Sequence, residues 1–161
     1  MVSHGSSTVP QYIVEEINEL GGKVNGACGI PVDDLAEVSR LGINKINVDT
    51  DIRLAVTRNI RELFMKKQEL RNSASVGEIY HILCEKPEAF DPRVFLSPIM
   101  ETVITGNISD ADVQCIVDGI KKGVEETVGA LIVKFGSMGK MNQVAKKTLD
   151  EMAEFYRREG I

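Results

Sequence analysis

Apolar residues recur every three or four positions over much of the chain, which predicts a largely helical protein. Pro10 opens a first predicted helix that Gly21-Gly22 ends, and Pro31 opens a second that ends at Gly42. The positions predicted to face the core are Ile13, Ile17 and Leu20 in the first helix and Leu35, Val38 and Leu41 in the second. Both helices therefore need a surface to pack against.

Residues 43–48 change to a period of two and predict a β-strand. Its apolar residues point to one face, and Lys45, Asn47 and Asp49 point to the other. A helix, a glycine turn and a β-branched strand are typical of an αβ unit in a parallel sheet. The polar face favours a strand end that lines a ligand cavity, and an exposed edge strand with a solvated face is the alternative.

A third predicted helix begins at Asp49 or Thr50, either of which can cap it, with Asp51 well placed in the first turn. Its predicted buried positions are Ile60, Leu63, Phe64 and Leu70. Its predicted solvated positions are Arg53, Arg58, Arg61, Lys66 and Lys67. A short helix that holds Val76, Ile79, Tyr80 and Leu83 follows and ends before Pro87.

The C-terminal part of the sequence predicts two further helices. Ser109 and Asp112 resemble a capping box that opens a long amphipathic helix. Residues 135–140 interrupt it, and we favour a connector over a phosphate loop because the segment lacks P-loop spacing and follows no strand. Thr148 and Glu151 form a second capping box. The residues this last helix is expected to bury are Leu149, Met152 and Phe155 or Tyr156.

The composition narrows the classes of partner. A net charge of −5 and a pI near 5.1, without a block of like charges, argue against nucleic acid and acidic membranes. No apolar run has the length of a membrane span, and the N-terminus lacks a signal-peptide pattern. Cys28, Cys84 and Cys115 are far apart and without paired spacing, as reduced thiols are. We therefore expect a cytoplasmic protein.

Two polar clusters stand at consecutive predicted strand ends. The first is His4-Gly5-Ser6-Ser7, an imidazole that can bind a metal beside a loop whose N–H and hydroxyl groups can hold phosphate. Asn47, Asp49 and Thr50 form the second. If the two strands are neighbours in a β-α-β arrangement, the clusters lie side by side.

A third candidate group is an arginine at a helix start. Asp91 as N-cap and Pro92 at the first helical position hold Arg93 in the first turn, where its guanidinium can project outward and bind phosphate. An ordinary solvated arginine is the alternative.

Together these motifs resemble the closing motifs of the class II, metal-dependent fructose-bisphosphate aldolases. The resemblance lies in His4-Gly5-Ser6-Ser7-Thr8-Val9-Pro10, in residues 41–55 with their Asn-x-Asp-Thr-Asp block, and in Phe90-Asp91-Pro92-Arg93, in the same order and spacing. It extends through the loop of residues 21–31. Residues 135–139 are similar to that family's Phe-Gly-(Ser/Thr)-Ala-Gly segment.

The resemblance implies roles for individual residues. The histidine of the His-Gly loop is one of three zinc ligands in that family, so His4 would be a ligand to zinc, which polarises the ketone and stabilises the enediolate. Gly5 and Ser7 match a loop that also binds a monovalent cation, and Arg93 matches an arginine that reaches a phosphate across a dimer interface. The residues implied in substrate and phosphate binding are Gly5, Ser7, Asn47, Asp49, Thr50 and Arg93.

The implied fold class is α/β: the C-terminal part of a TIM (β/α)8 barrel, mostly helical in this chain with one or two parallel strands. Residues 1–104 would form the last two βα units and the following helices. Residues 105–161 would form a helical C-terminal extension or tail, within which residues 105–125 look like an insertion.

The implied activity is reversible aldol cleavage of fructose 1,6-bisphosphate to dihydroxyacetone phosphate and glyceraldehyde 3-phosphate. A tagatose-bisphosphate aldolase is the alternative within this class of enzyme. A non-catalytic helical interaction module is the alternative outside it.

Several parts of the family pattern have no counterpart in this sequence. The first six barrel strands, two more zinc-ligand histidines and the carboxylate that handles the proton lie upstream in the family. One histidine cannot hold a catalytic zinc, which usually has three protein ligands. We therefore expect the chain alone to be inactive, as a fragment or split subunit that needs an N-terminal barrel half or a homo-oligomer.

Overall fold

The computed structural model of the chain describes residues 1–144 and 147–160. The strands are β1 (Val2–Ser3) and β2 (Lys45–Ile46). The helices are α1 (Gln11–Glu19), α2 (Val32–Val38), α3 (Thr50–Lys66), α4 (Gly77–Glu85), α5 (Pro92–Phe95), α6 (Met100–Thr105), α7 (Ala111–Lys134) and α8 (Leu149–Glu159). Short 3₁₀ turns cover Ser39–Leu41, Gln68–Asn72, Ser97–Ile99 and Met141–Gln143. The predicted mostly helical chain with one or two parallel strands is confirmed.

The two strands pair in parallel. Val2 lies opposite Lys45 and Ser3 opposite Ile46, and the N–H of Asn47 continues the ladder to the carbonyl of Ser3 over 3.1 Å. The predicted strand over residues 43–48 is in the right place but is reduced to two residues. A strand is hydrogen-bonded only where a partner runs beside it, and β1 turns away after Ser3.

The apolar face of α1 is buried as predicted at Ile13 and Ile17. In α2 only Leu35 is buried, and Leu41 is 79% exposed, so its predicted core position is wrong. The reason is that the chain tightens from α-helix into a 3₁₀ turn after Val38, and the tighter turn changes the direction in which the following side chains point.

α3 is the central helix of the fold. It packs with α1, α4 and α7, and α7 approaches it at Val56 and Asn59 as well as at Ile60. The side chains of Leu54, Ile60 and Phe64 are almost completely buried, and burial of one such side chain stabilises a fold by about 1.5–3 kcal/mol.

The charged face predicted for α3 is not uniformly solvated. Arg61 is only 6% exposed, because α4 and the loop after it cover this side of the helix. Arg58 forms ion pairs with Glu16 of α1 and Glu126 of α7. The predicted solvation of Arg61 is therefore wrong, since burial was decided by a segment distant in the sequence.

α7 begins at a different cap from the one predicted. Asp110, not Ser109, is the N-cap, and its carboxylate accepts hydrogen bonds from the N–H groups of Asp112 and Val113 over 2.8 and 3.1 Å. Ser75 Oγ also donates to this carboxylate over 2.5 Å, which ties the start of α7 to the chain before α4. The division of the chain at residues 104 and 105 stays a prediction.

Glycines allow α7 to approach α3 closely. A Cβ at Gly123 would lie 2.8 Å from Asn59 Nδ2 and 2.9 Å from the backbone nitrogen of Val56. A Cβ at Gly119 would lie 3.1 Å from Ile60 Cδ1. Gly119 and Gly123 therefore serve the packing of α7 on α3.

The capping box of α8 is confirmed, because Thr148 and Glu151 exchange both hydrogen bonds. The predicted burial of its apolar residues is wrong: no residue of α8 is buried, and Leu149 is 89% exposed. A capping box forms within one turn, whereas burial needs a partner surface.

Within residues 1–144 and 147–160, none of the helices combines the length and the apolar character that crossing a bilayer requires.

We predict that Gly123→Ala destabilises the fold even though alanine favours helices by about 1 kcal/mol over glycine. The new methyl group would meet the backbone of α3 at Val56, which cannot move aside as a side chain can. The measurement is the urea midpoint of unfolding. Gly129→Ala is the matched control in the same helix, because no atom lies within 4 Å of its Cβ position, and it should stabilise. Equal stabilisation by both substitutions would contradict the close approach of α3 and α7.

Candidate functional site

The carboxyl ends of β1 and β2 lie side by side. The chain leaves β1 through His4 and β2 through Asn47, at the same edge of the parallel pair. Asn47 Nδ2 donates a hydrogen bond to His4 Nδ1 over 2.9 Å. The structure thus brings together the two polar clusters that the sequence places at successive strand ends.

The N-terminus of α3 is capped from the other cluster. Ser7 Oγ accepts hydrogen bonds from the N–H groups of Thr50 and Asp49, over 3.1 and 3.3 Å. Asp49 is the N-cap residue, one of the two that were predicted, but its side chain makes no capping hydrogen bond. The N–H groups of a first helical turn have no partner within the helix and attract negatively charged acceptors. A phosphate oxygen fits the position that the Ser7 hydroxyl holds.

Gly5 gives the loop its conformation. Its φ is +66°, which L side chains rarely adopt, while no atom lies within 4 Å of its Cβ position. A glycine is therefore required here by backbone geometry and not by lack of space.

Asp51 holds this loop onto α3. Its carboxylate accepts hydrogen bonds from the N–H and Oγ1 of Thr8, over 3.0 and 2.7 Å, and from the N–H of Val9 over 2.8 Å. Asp51 is 1% exposed, so its charge is compensated by these donors rather than by water. From the sequence we expected Asp51 only to interact with the helix dipole. Its place on the helix face that carries Leu54 and Ala55 was the signal that its carboxylate is buried.

The same carboxylate supports a strained residue. Val9 has a φ of +49°, and it is the only non-glycine residue with a positive φ among residues 1–144 and 147–160. A β-branched residue in this region costs on the order of 1–3 kcal/mol and persists where its surroundings hold it. Here the bond to Asp51 and the burial of the Val9 side chain hold it.

Four charged side chains connect the second strand end to α5. Arg53 pairs with Asp49 over 2.5 Å and with Asp91 over 2.7 Å, and Arg93 pairs with Asp91 over 2.6 Å. Hydrogen bonds from Arg93, with the charge of Arg53 in addition, lower the pKa of Asp91 from 3.8 to about 2. Arg53 was predicted as plain surface, although the spacing of four residues from Asp49 was a signal for a pair on one helix face.

Arg93 lies where the sequence placed it. The predicted cap is confirmed, because Asp91 Oδ1 accepts from the N–H of Arg93 over 3.0 Å and Pro92 starts α5. Its guanidinium folds back onto Asp91 instead of projecting freely, and the side chain is still 70% exposed. The hydrogen bond to Asp91 raises the pKa of Arg93, so the group stays cationic and open to a further anion.

The residues described here do not by themselves fit a zinc site. No three His, Cys, Asp or Glu side chains in the described part of the chain are grouped so that they could hold a metal ion. His4 at the strand end is hydrogen-bonded to an amide and belongs to no such group among the described residues. A catalytic zinc usually takes three protein ligands.

The fold and site define a class of protein: a mostly helical chain with polar groups at the carboxyl ends of two parallel strands, beside a helix N-terminus. Comparison with known families is more specific. The family model described as fructose-bisphosphate aldolase class-II matches residues 1–140, a range that includes residues 105–125. The chain belongs to the class II fructose-bisphosphate aldolase family.

Curated relatives agree with the family model. The chain is 35% identical over 156 residues to a fructose-bisphosphate aldolase of Xanthobacter flavus. This alignment covers 97% of this chain and 33% of the Xanthobacter protein. The fructose-bisphosphate aldolases of Pseudomonas aeruginosa and Thermus caldophilus are 36% and 39% identical to this chain over 103 residues. Each alignment covers 64% of this chain; it covers 24% of the Pseudomonas protein and 28% of the Thermus protein. The chain thus spans between about a quarter and a third of these relatives.

We predict that Asp51→Asn destabilises the fold by about 1–3 kcal/mol, because one acceptor oxygen becomes a donor that faces the N–H groups of Thr8 and Val9. Urea unfolding measures the change, and amide hydrogen exchange at Thr8 and Val9 locates it. Asp34→Asn is the matched control, an exposed acid in the first turn of α2, and should cost a few tenths of a kcal/mol. Equal effects of the two substitutions would contradict the anchoring role of Asp51.

We also predict that the stability of the fold depends on pH through Asp91. Its folded-state pKa lies below its ordinary value, so its contribution to stability is present above about pH 4 and is lost as the pH falls towards 2. Asp91→Asn should therefore lose less stability than the wild type between pH 4 and pH 2. Urea midpoints of the two proteins over this pH range measure the difference in stability. The contributions of the other acidic residues cancel, because both proteins contain them. Parallel curves for the two proteins would show that Asp91 is not held ionised in the fold.

Proposed function

We propose that this chain supplies the strand-end, phosphate-binding part of a class II aldolase barrel. The completed site would carry out reversible cleavage of fructose 1,6-bisphosphate to dihydroxyacetone phosphate and glyceraldehyde 3-phosphate. The observation that carries the proposal is the pair of N–H groups of Asp49 and Thr50 at the start of α3, under the hydroxyl of Ser7.

A substrate phosphate would use these donors in place of the hydroxyl. A phosphate oxygen is a stronger acceptor than a serine hydroxyl, and its charge also interacts favourably with the N-terminus of a 17-residue helix. The Ser7 hydroxyl can then turn and donate to the same phosphate. Asp49 carries a carboxylate beside this position, and Arg53 neutralises it through two hydrogen bonds of 2.9 and 2.5 Å.

The other residues surround this position. Asn47 lies at the strand end, where its amide holds the His4 ring and can reach a substrate hydroxyl or carbonyl. The backbone turn at Gly5 presents the loop atoms that we assign to a monovalent cation. We assign His4 as one zinc ligand; the described residues form no group that could supply the others.

We assign the second phosphate to Arg93, by a bidentate contact. Its guanidinium is oriented by Asp91 but remains 70% exposed, which suits a ligand that arrives from another copy of the protein. Asp91 is itself shared with Arg53, so the two ends of the site are linked by one carboxylate.

The sheet supports completion of the barrel by other strands. Among the described residues each strand pairs on one side only, and a two-stranded pair alone is marginal in water. Strands added at these edges would place further side chains around His4 and Asn47, at the carboxyl ends where barrel active sites lie.

Complementation tests the proposal. The chain is mixed with zinc and a polypeptide that spans the part of the Xanthobacter flavus aldolase preceding the matched region, and release of glyceraldehyde 3-phosphate is measured. We expect no activity from the chain alone, activity from the mixture, and a loss of about 100-fold or more for Asn47→Ala or His4→Ala. Asn44→Ala is the matched control at the opposite end of β2 and should keep full activity.

Two outcomes would contradict the proposal. Cleavage by the chain alone would show that the site is complete without further strands. A mixture that binds zinc but neither binds nor cleaves the substrate would favour a non-catalytic interaction module. The same assay with tagatose 1,6-bisphosphate decides between the two sugars.

A further inference from the structure

A second cavity, away from the strand ends, contains an unpaired buried charge. It has a volume of about 300 Å³ and lies between the end of α1, the C-terminal part of α3 and α4. Arg61, Tyr80 and Cys84 are among the residues that line it. The strand-end site uses none of these residues.

The Arg61 guanidinium lacks an anionic partner. Its Nη2 donates to the carbonyls of Leu83 and Pro87 over 3.3 and 3.1 Å, and its Nε has no hydrogen-bond partner. No carboxylate in residues 1–144 and 147–160 lies within ion-pair distance of it, although Glu19 also lines the cavity. Burial lowers the pKa of Arg61, as expected for a cation taken out of water. A buried charge of this kind requires a partner of the opposite sign.

Cys84 is the thiol among the residues that line this cavity. It is exposed, and it follows Leu83, whose carbonyl accepts a hydrogen bond from Arg61. Reactive cysteines are found in accessible, electropositive surroundings of this type, because the thiolate is the nucleophile.

We propose that Cys84 is a redox-reactive thiol, modified by small hydroperoxides that enter the cavity beside Arg61. The assignment rests on three features found together: an accessible thiol, a neighbouring buried cation with a free donor, and a cavity large enough for the oxidant.

The chemistry of the step is a two-electron oxidation. The Cys84 thiolate attacks the terminal oxygen of the hydroperoxide, a sulfur–oxygen bond forms and the oxygen–oxygen bond breaks. Hydroxide or alkoxide leaves and takes up the proton that the thiol released, so the products are a sulfenic acid and water or an alcohol. The new oxygen is a hydrogen-bond acceptor in a cavity that the buried, cationic Arg61 also lines.

The other two cysteines are internal controls. Cys28 is also exposed and also lines a cavity, but the lysine there, Lys134, is paired with Asp33 over 3.0 Å. Cys115 is only partly exposed, and Lys67 Nζ donates to its sulfur over 3.2 Å, so this cysteine has an exposed cation beside it instead of a buried one.

The test uses the full 161-residue chain at pH 7 with hydrogen peroxide and a sulfenic-acid trap, and mass spectrometry quantifies each cysteine. We expect Cys84 to be trapped about tenfold faster than Cys28 in the native protein, and all three cysteines to react at similar rates in denaturant. If Cys28 matches Cys84 in the native protein, exposure alone explains the reactivity and the proposal is wrong.

Substitutions on α3 separate charge from structure. Arg61→Gln should remove the advantage of Cys84 over Cys28, Arg61→Lys should restore much of it, and Arg58→Gln should leave it unchanged, because Arg58 is already paired with two carboxylates. Circular dichroism shows whether each variant is folded. If Arg61→Gln unfolds, a high Cys84 rate in Arg61→Lys supports the proposal and a rate equal to that of Cys28 overturns it.

Discussion

The buried carboxylate of Asp51 is the interaction on which the rest of the candidate site depends. It stands in the first turn of α3 and accepts three hydrogen bonds from Thr8 and Val9, which lie more than forty residues earlier in the chain. This contact brings Ser7 over the N–H groups of Asp49 and Thr50 and places the His4 loop beside Asn47. It also holds Val9 in a conformation that a valine otherwise avoids.

α3 connects this site to the core. Its first turn carries the site, its middle buries Leu54, Ile60 and Phe64, and its length is covered by α7. Glycines on α7 bring the two helices into close contact, so the packing restrains the helix whose N-terminus forms the site. A position that binds phosphate through backbone N–H groups depends on such rigidity, because the donors have to be in place before the ligand arrives.

The charges of the arginine side chains are compensated in two different ways. Around the strand ends Arg53 and Arg93 share the carboxylates of Asp49 and Asp91, so each charge has a partner and the arginines keep defined positions. In the C-terminal half of α3, Arg61 is buried and donates to carbonyl groups. We propose that the first arrangement serves an anionic substrate, whereas the second leaves a buried cation in the cavity that Cys84 also lines.

Features formed within a few residues could be predicted from the sequence. The cap of α5 by Asp91 and the capping box of α8 were predicted because each is a local hydrogen bond, and the family was predicted from its motifs. The parallel strand pair joins residues far apart in the sequence, and it was expected through the resemblance to the family. The sequence also placed His4 and Asn47 at strand ends, although their roles remain proposals. Ser7 as the cap of α3, the burial of Arg61 and the unpaired apolar face of α8 depended on the tertiary structure. Each of them is decided by whether a segment far away in the sequence comes to lie against the residue, and a local pattern carries no information about that contact.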